Sequence, residues 1–188
     1  MLWTGRPDAR VMARRVLRVR VLAAYFAAFG AAAFTLAAAR GDGLTAALRD
    51  GLGIVPAAAL ALALIGGFAA LVARTTTYAI TDRRVVMRFG IAIPVTLNLP
   101  FAAISAADMK ARSDGTGEIA LALTDPRRVL YATLWPHARP RRLSRPQPAL
   151  RGLADVATPA RILAEALRRA NGRPALRVVA AAPAAVGA

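Results

Sequence analysis

Residues 75–100 read TTTYAITDRRVVMRFGIAIPVTLNLP. Threonines and Tyr78 lead into Ile80, the polar Thr81-Asp82-Arg83 triplet interrupts, and Val85, Val86 and Met87 resume the apolar run before Gly90. β-Branched and aromatic residues bounded by turn formers predict strands. Val95, Leu97 and Leu99 then alternate with Thr96 and Asn98, the period-two pattern of a strand with one buried face. This β-structure begins one residue after a long apolar segment that ends at Ala73. A small β-domain therefore sits at the foot of a helix of a different kind.

Residues 52–73 are twenty-two positions without a charge, closed off by Asp50 and Arg74. Residues 21–39 are nineteen more, closed off by Arg20 and Arg40. About 20 apolar residues cross a bilayer core as a helix. Pro56 falls near the start of the second run, where a helix tolerates it. The Ala37-Ala38-Ala39 triplet resembles a signal-peptide cleavage site, but a twenty-residue leader and a nineteen-residue core are long for one. A buried soluble hairpin is the other alternative. Two such runs joined by about a dozen residues favour a transmembrane hairpin instead. Alanines at 23, 27 and 31, and at 24, 28 and 32, form small-residue stripes that allow close helix packing, although an alanine-rich composition alone produces the same stripes.

The chain has 188 residues, of which 57% are hydrophobic and 19% charged, with a mean hydropathy of +0.45. That is more apolar than an ordinary soluble domain. The net charge is +16, and Lys110 is the only lysine. Residues 1–20 hold six arginines and one aspartate, residues 40–50 hold two of each sign, and residues 74–188 hold eighteen basic and seven acidic residues. Positive flanks stay in the cytoplasm, so both termini are expected there with a short loop outside. Arg10, Arg14 and Arg18 recur every four residues, with Arg15 beside them and Met12, Ala13 and Val16 on another face. Such a segment either lies on anionic lipid or is a plain positive-inside flank. Nucleic-acid binding is not expected, because no recognition motif stands apart from the membrane.

With no cysteine and one histidine, His137, disulfides, thiol catalysis and a dedicated metal site are excluded as expectations, and no cofactor is expected. No catalytic constellation is present. Asp108, Asp114 and Glu118 surround a turn and are expected to solubilise it, and Ser105 and Ser144 have no plausible base. The chain is not expected to be an enzyme.

Beyond residue 100 the strand pattern continues. Residues 104–112 form one further candidate strand, Ile119, Leu121 and Leu123 alternate in another, and residues 129–135 form a third. A helix follows, with Thr158 as its cap, Pro159 in its first turn, Ile162, Leu163, Ala166, Leu167 and Ala170 on one face, and Asn171-Gly172 as its stop. The fold expected is membrane-anchored α+β, a two-helix transmembrane hairpin and then a β-barrel or sandwich capped by a helix. Its divisions are a basic segment 1–20, spans 21–39 and 52–73, an outer loop 40–51, a cytoplasmic domain 74–172 and a flexible tail 173–188.

The run from Tyr78 to Val85 followed by Arg88-Phe89-Gly90 resembles the start of the bacterial pleckstrin-homology-like (PH-like) domain, which commonly follows a transmembrane hairpin. Leu2-Trp3-Thr4-Gly5-Arg6-Pro7 looks like the motif that precedes that hairpin. Asn98-Leu99-Pro100-Phe101, Leu134-Trp135-Pro136-His137-Ala138-Arg139-Pro140 and the segment 145–151 are similar to the photosynthetic-complex assembly family of the PuhB type. That resemblance implies an inner-membrane factor of phototrophic bacteria without catalytic activity. Its partners would be reaction-centre and core-antenna subunits, with membrane lipids and a second copy of the chain as further candidates. The runner-up is a membrane-anchored adaptor or lipid-surface-binding protein with no photosynthetic role. Trp135, Pro136, His137, Arg139, Arg141 and Arg142 combine an aromatic with arginines and are the candidate partner-binding residues. Trp135 fits a strand-end core position equally well. Arg10, Arg14, Arg15 and Arg18 are the candidate membrane-surface residues.

Overall fold

The computed structural model describes residues 1–125, 129–140, 142–171 and 176–178. It consists of two long apolar helical runs, two four-stranded sheets and a helix packed against them. The opening stretch forms β2 (Thr77–Ile80), β3 (Arg84–Phe89) and β4 (Val95–Pro100), an antiparallel meander. Period two decides the faces of β3. Val85, Met87 and Phe89 are buried, while Arg84 and Arg88 are exposed. Thr81 closes the β2–β3 turn, accepting at Oγ1 from Arg84 N–H at 3.0 Å and donating to Arg84 O at 2.9 Å.

The first sheet has a fourth strand that periodicity does not reveal. Trp3–Gly5 (β1) pairs antiparallel with β2, Trp3 opposite Ile80. Three residues are too few to show a period. Pairing them with β2 brings the two ends of the helical region together on one side.

The second sheet runs β7-β6-β5-β8, from β5 (Ile104–Ala111), β6 (Gly117–Leu123), β7 (Ala149–Leu153) and β8 (Leu176–Val178). β5 and β6 lie where alternation predicts them. β8 pairs in parallel with β5 inside the segment read as a flexible tail. The expected strand at 129–135 is instead a helical turn, α5 (Tyr131–Leu134). Leu134 N–H closes on Leu130 O at 3.2 Å and Trp135 N–H on Tyr131 O at 3.1 Å, and Pro136 has no N–H to extend a ladder.

The closing helix, α6 (Ala157–Asn171), buries Ala160, Leu163, Ala166 and Leu167 against the sheets. Its first N–H groups are capped by Asp155, not Thr158. Asp155 Oδ1 accepts from Ala157 at 2.9 Å and from Thr158 at 3.4 Å. A hydrogen bond from the Thr158 side chain first, and these backbone bonds after it, hold the Asp155 carboxyl below its ordinary range.

The helical runs are Val19–Arg40 (α2) and Leu44–Thr75, both long and apolar enough to cross a membrane. Only 11% and 6% of their most apolar stretches are buried, so these side chains do not face a protein core. The second run is kinked into α3 (Leu44–Leu52) and α4 (Val55–Thr75). Most of the expected outer loop 40–51 is therefore helix. α3 folds back along α2 because two glycines let the backbones touch. A Cβ on Gly30 would lie 2.8 Å from Gly51 O, and one on Gly51 would lie 2.9 Å from Phe34 Cβ. The stripe Ala23, Ala27 and Ala31 faces a groove of about 520 Å³ between α2 and α4.

The basic leader is neither a free helix nor a loose flank. Asp8 caps α1 (Ala9–Val11) by accepting from Val11 N–H at 2.8 Å, and a wider turn follows over Met12–Val16. Met12 is fully buried against Ala69 and Val72 of α4. Asp8 N–H donates to Gly152 O at 2.8 Å, and Gly152 has φ +73, with Met12 and Pro7 against it. Arg10, Arg14, Arg15 and Arg18 are left on the exposed side.

Candidate functional site

Where α4 meets the sandwich, the segment 135–139 is strapped to both. His137 N–H donates to Leu134 O at 2.6 Å, Ala149 N–H to His137 O at 2.7 Å, and Arg139 N–H to Gln147 O at 2.9 Å. Beneath this strap lies Arg151. Its Nε donates to Glu118 at 3.0 Å, and one terminal nitrogen donates to the carbonyls of Pro136 at 3.0 Å and Ala138 at 3.3 Å. The Arg151 and Glu118 side chains are only 12% and 16% exposed. An ion pair so desolvated survives only with its hydrogen bonds satisfied.

His137 is 1% exposed, and both ring nitrogens have partners. Nε2 lies 3.1 Å from Thr76 Oγ1, and Nδ1 lies 2.7 Å from the Tyr78 hydroxyl. The Tyr78 hydroxyl also lies 3.2 Å from Arg151 O and accepts from Arg151 N–H at 3.2 Å. Each nitrogen of the neutral ring is thus paired with one hydroxyl, one as donor and the other as acceptor. Burial first, and the Arg151 charge second, lower the His137 pKa from 6.5 to about 4. Burial raises the Tyr78 phenol above its ordinary range, against the opposing pull of the Arg151 backbone and charge. The ring is thus a neutral junction that joins α4 and β2 to the strap.

Above the ring is a cleft of about 220 Å³, lined by Phe68, Thr76, Ile91, Ile93, Trp135 and His137 among others. Trp135 stacks on Phe68 with centroids 5.6 Å apart and keeps about half its surface exposed. The cleft therefore presents mainly aromatic and aliphatic carbon, not a set of reacting groups.

The family profile of the bacterial PH domain matches residues 18–167, from the start of α2 into α6. The chain belongs to the bacterial PH domain family. It is also 35% identical over 185 residues to a Rhodobacter capsulatus protein, covering 96% of this chain and 84% of the relative. That relative is named an uncharacterized 23.7 kDa protein in the puhA 5′ region. No solved structure matches the chain.

Placed on this PH domain, the six candidate partner residues separate. Pro136 and His137 are buried and cannot meet a partner. Arg139 is half-buried, ion-paired to Asp108 and donating to Gln147 at 3.0 Å, so its charge is already used. Trp135 is half-exposed against α4, and Arg142 is fully on the surface. Arg141 lies outside the described residues. The three acids read as solubilising are ion-pair partners instead. Asp108 holds Arg139, Glu118 holds Arg151, and Asp114 holds Arg15 at 2.9 Å. Hydrogen bonds from Thr116 first, and from Arg15 next, lower the Asp114 pKa to about 2.

Sequence reading missed Thr76, Tyr78, Arg151 and Phe68 as members of this junction. Thr76 and Tyr78 are 61 and 59 residues from His137, a separation that no local motif bridges. One signal was available, since a lone histidine is more often a satisfied buried group than a ligand.

Proposed function

We propose that the chain is a non-enzymatic, membrane-anchored factor that helps assemble photosynthetic reaction-centre and core-antenna subunits through protein contacts at the cytoplasmic membrane surface. The observation that carries this reading is the similarity, over nearly the whole chain, to the Rhodobacter capsulatus protein of the puhA 5′ region. That neighbourhood agrees with the PuhB-type resemblance of the segments around Asn98 and Trp135. The arginine balance favours both termini in the cytoplasm. Pairing of β1 with β2 supports an even number of crossings between them. Partner contacts fall to the surface arginines Arg142 and Arg145, since the neighbouring strap is consumed by internal bonds.

A capture experiment tests this. Tagged full-length protein is bound in solubilised photosynthetic membranes, and co-purifying subunits are identified by mass. Reaction-centre or core-antenna subunits are expected with the native chain, and fewer with Arg142→Ala combined with Arg145→Ala. Undiminished capture by the double variant contradicts this contact surface. Absence of those subunits with the native chain contradicts the function. The bacterial PH domain family and the exposed leader arginines would then favour the second reading, a membrane-anchored adaptor with no photosynthetic role.

A further inference from the structure

The turn between β3 and β4 reads Gly90-Ile91-Ala92-Ile93-Pro94, five residues without a polar side chain. Hairpin turns ordinarily carry Asn, Asp, Ser or Gly, because their tips face water. Two other turns of this domain obey that rule. Thr81-Asp82-Arg83 joins β2 to β3, and Ser113-Asp114-Gly115-Thr116 lies between β5 and β6. At the β3–β4 tip, Ile91 is 42% exposed and Ile93 78% exposed.

The register says where this tip lies. β2 starts two residues after α4 ends, and its first residue, Thr77, pairs with Arg88 near the end of β3. Phe89 pairs with Val95 at the start of β4. The Gly90–Pro94 turn is therefore at the end of the sheet nearest α4, opposite the Asp82 turn. Ile91 and Ile93 line the same cleft as Phe68 and Val72 of α4, and Trp135 stacks on Phe68 there. Phe68 precedes Arg74, the first charge after the apolar run, by six residues. At about 1.5 Å per residue, that places it about 9 Å below the polar end of the helix. Arg88, two residues before the tip, and Arg74, in the last turn of α4, are both exposed.

We propose that Ile91, Ile93 and the exposed face of Trp135 form an anchor that seats in the headgroup–acyl boundary of the bilayer. Arg74 and Arg88 meet anionic headgroups at its rim. The occupant is lipid because the tip shares its cleft with the apolar Phe68 and Val72 of α4 and carries the exposed Arg88 two residues before it. Aromatic and aliphatic side chains at that depth with arginines above them are the pattern of an interfacial segment. The anchor rests on the reading that α2 and α4 cross the membrane. It adds that the domain leans against the bilayer instead of standing free on its helices, which fixes the height at which Arg142 and Arg145 present themselves.

The absence of cysteine makes the test direct. Full-length Ile93→Cys, Asp82→Cys and Leu64→Cys proteins are nitroxide-labelled and reconstituted in vesicles of phosphatidylglycerol and phosphatidylethanolamine. Collision with oxygen, which concentrates in lipid, is compared with collision with a water-soluble nickel chelate. Labels at positions 64 and 93 are expected to favour oxygen several-fold more than the label at 82. A label at 93 as open to nickel as that at 82, with 64 still in lipid, overturns the anchor and leaves the spans standing. A label at 64 open to nickel overturns the spans and the anchor together.

Discussion

His137 gives up water for two hydroxyl groups when the domain folds, and that exchange makes its stability depend on pH. In the unfolded chain the ring takes up a proton near pH 6.5, whereas in the fold it does so only near 4. Between those values the unfolded state binds more protons. The contribution is therefore complete above about pH 6.5 and is lost as pH falls towards 4. A shift of this size corresponds to about 3 kcal/mol at most. Chemical unfolding of the full-length protein across this range is expected to show that loss. His137→Gln, less stable at pH 7, should have a flatter profile. An equal slope in both proteins would assign the acid sensitivity to other groups. Beyond its being the chain's one histidine, nothing in the sequence around this ring marks it as buried. Its partners Thr76 and Tyr78 sit in the stretch that does declare itself as strand, but their side chains meet His137 only after both sheets form.

Elements whose periodicity is long enough to be read in isolation are the ones the sequence makes legible. β3 alternates over six residues and α6 repeats an apolar stripe over fifteen, so faces and positions follow from side-chain direction alone. The charge-free runs likewise declare α2 and most of the second helical run. β1 and β8 have three residues each and exist through pairing with strands distant in sequence. α5 is a single turn closed by its own backbone bonds ahead of Pro136, too short for a helical period to show. The leader is an intermediate case. Its arginine spacing is visible, but Met12 reads as one apolar residue among several until α4 and Gly152 close around it. Met12→Ala is expected to weaken this docking by about 2–5 kcal/mol, the usual cost of truncating a buried methionine. Trypsin should then cut more quickly at Arg14, Arg15 and Arg18. Unchanged protection would mean that β1 and the Asp8 cap hold the leader without the methionine.

Across the whole molecule, one strand binds the leader to the segment that follows the helical runs. β1 precedes both helical runs and completes a sheet that follows them, so the two ends of the helical region meet at one sheet. The PH domain is thus built from both flanks of the hairpin, with the leader, α4 and the Arg151–Glu118 strap meeting at its foot. Its surface carries the exposed Arg142 and Arg145, and its cleft beside α4 is lined mainly by aromatic and aliphatic side chains. The fold class was legible at this scale, whereas the candidate partner residues were not separable, because the pairing of Arg139 with Asp108 spans 31 residues and no local pattern announces it. The central claim is assembly of photosynthetic complexes. It is tested most directly by the near-infrared absorption of membranes from a deletion strain grown for photosynthesis, beside a complemented control. The account predicts loss of the reaction-centre and core-antenna bands with pigment synthesis intact. An unchanged spectrum in a strain lacking any second copy of the gene would contradict it.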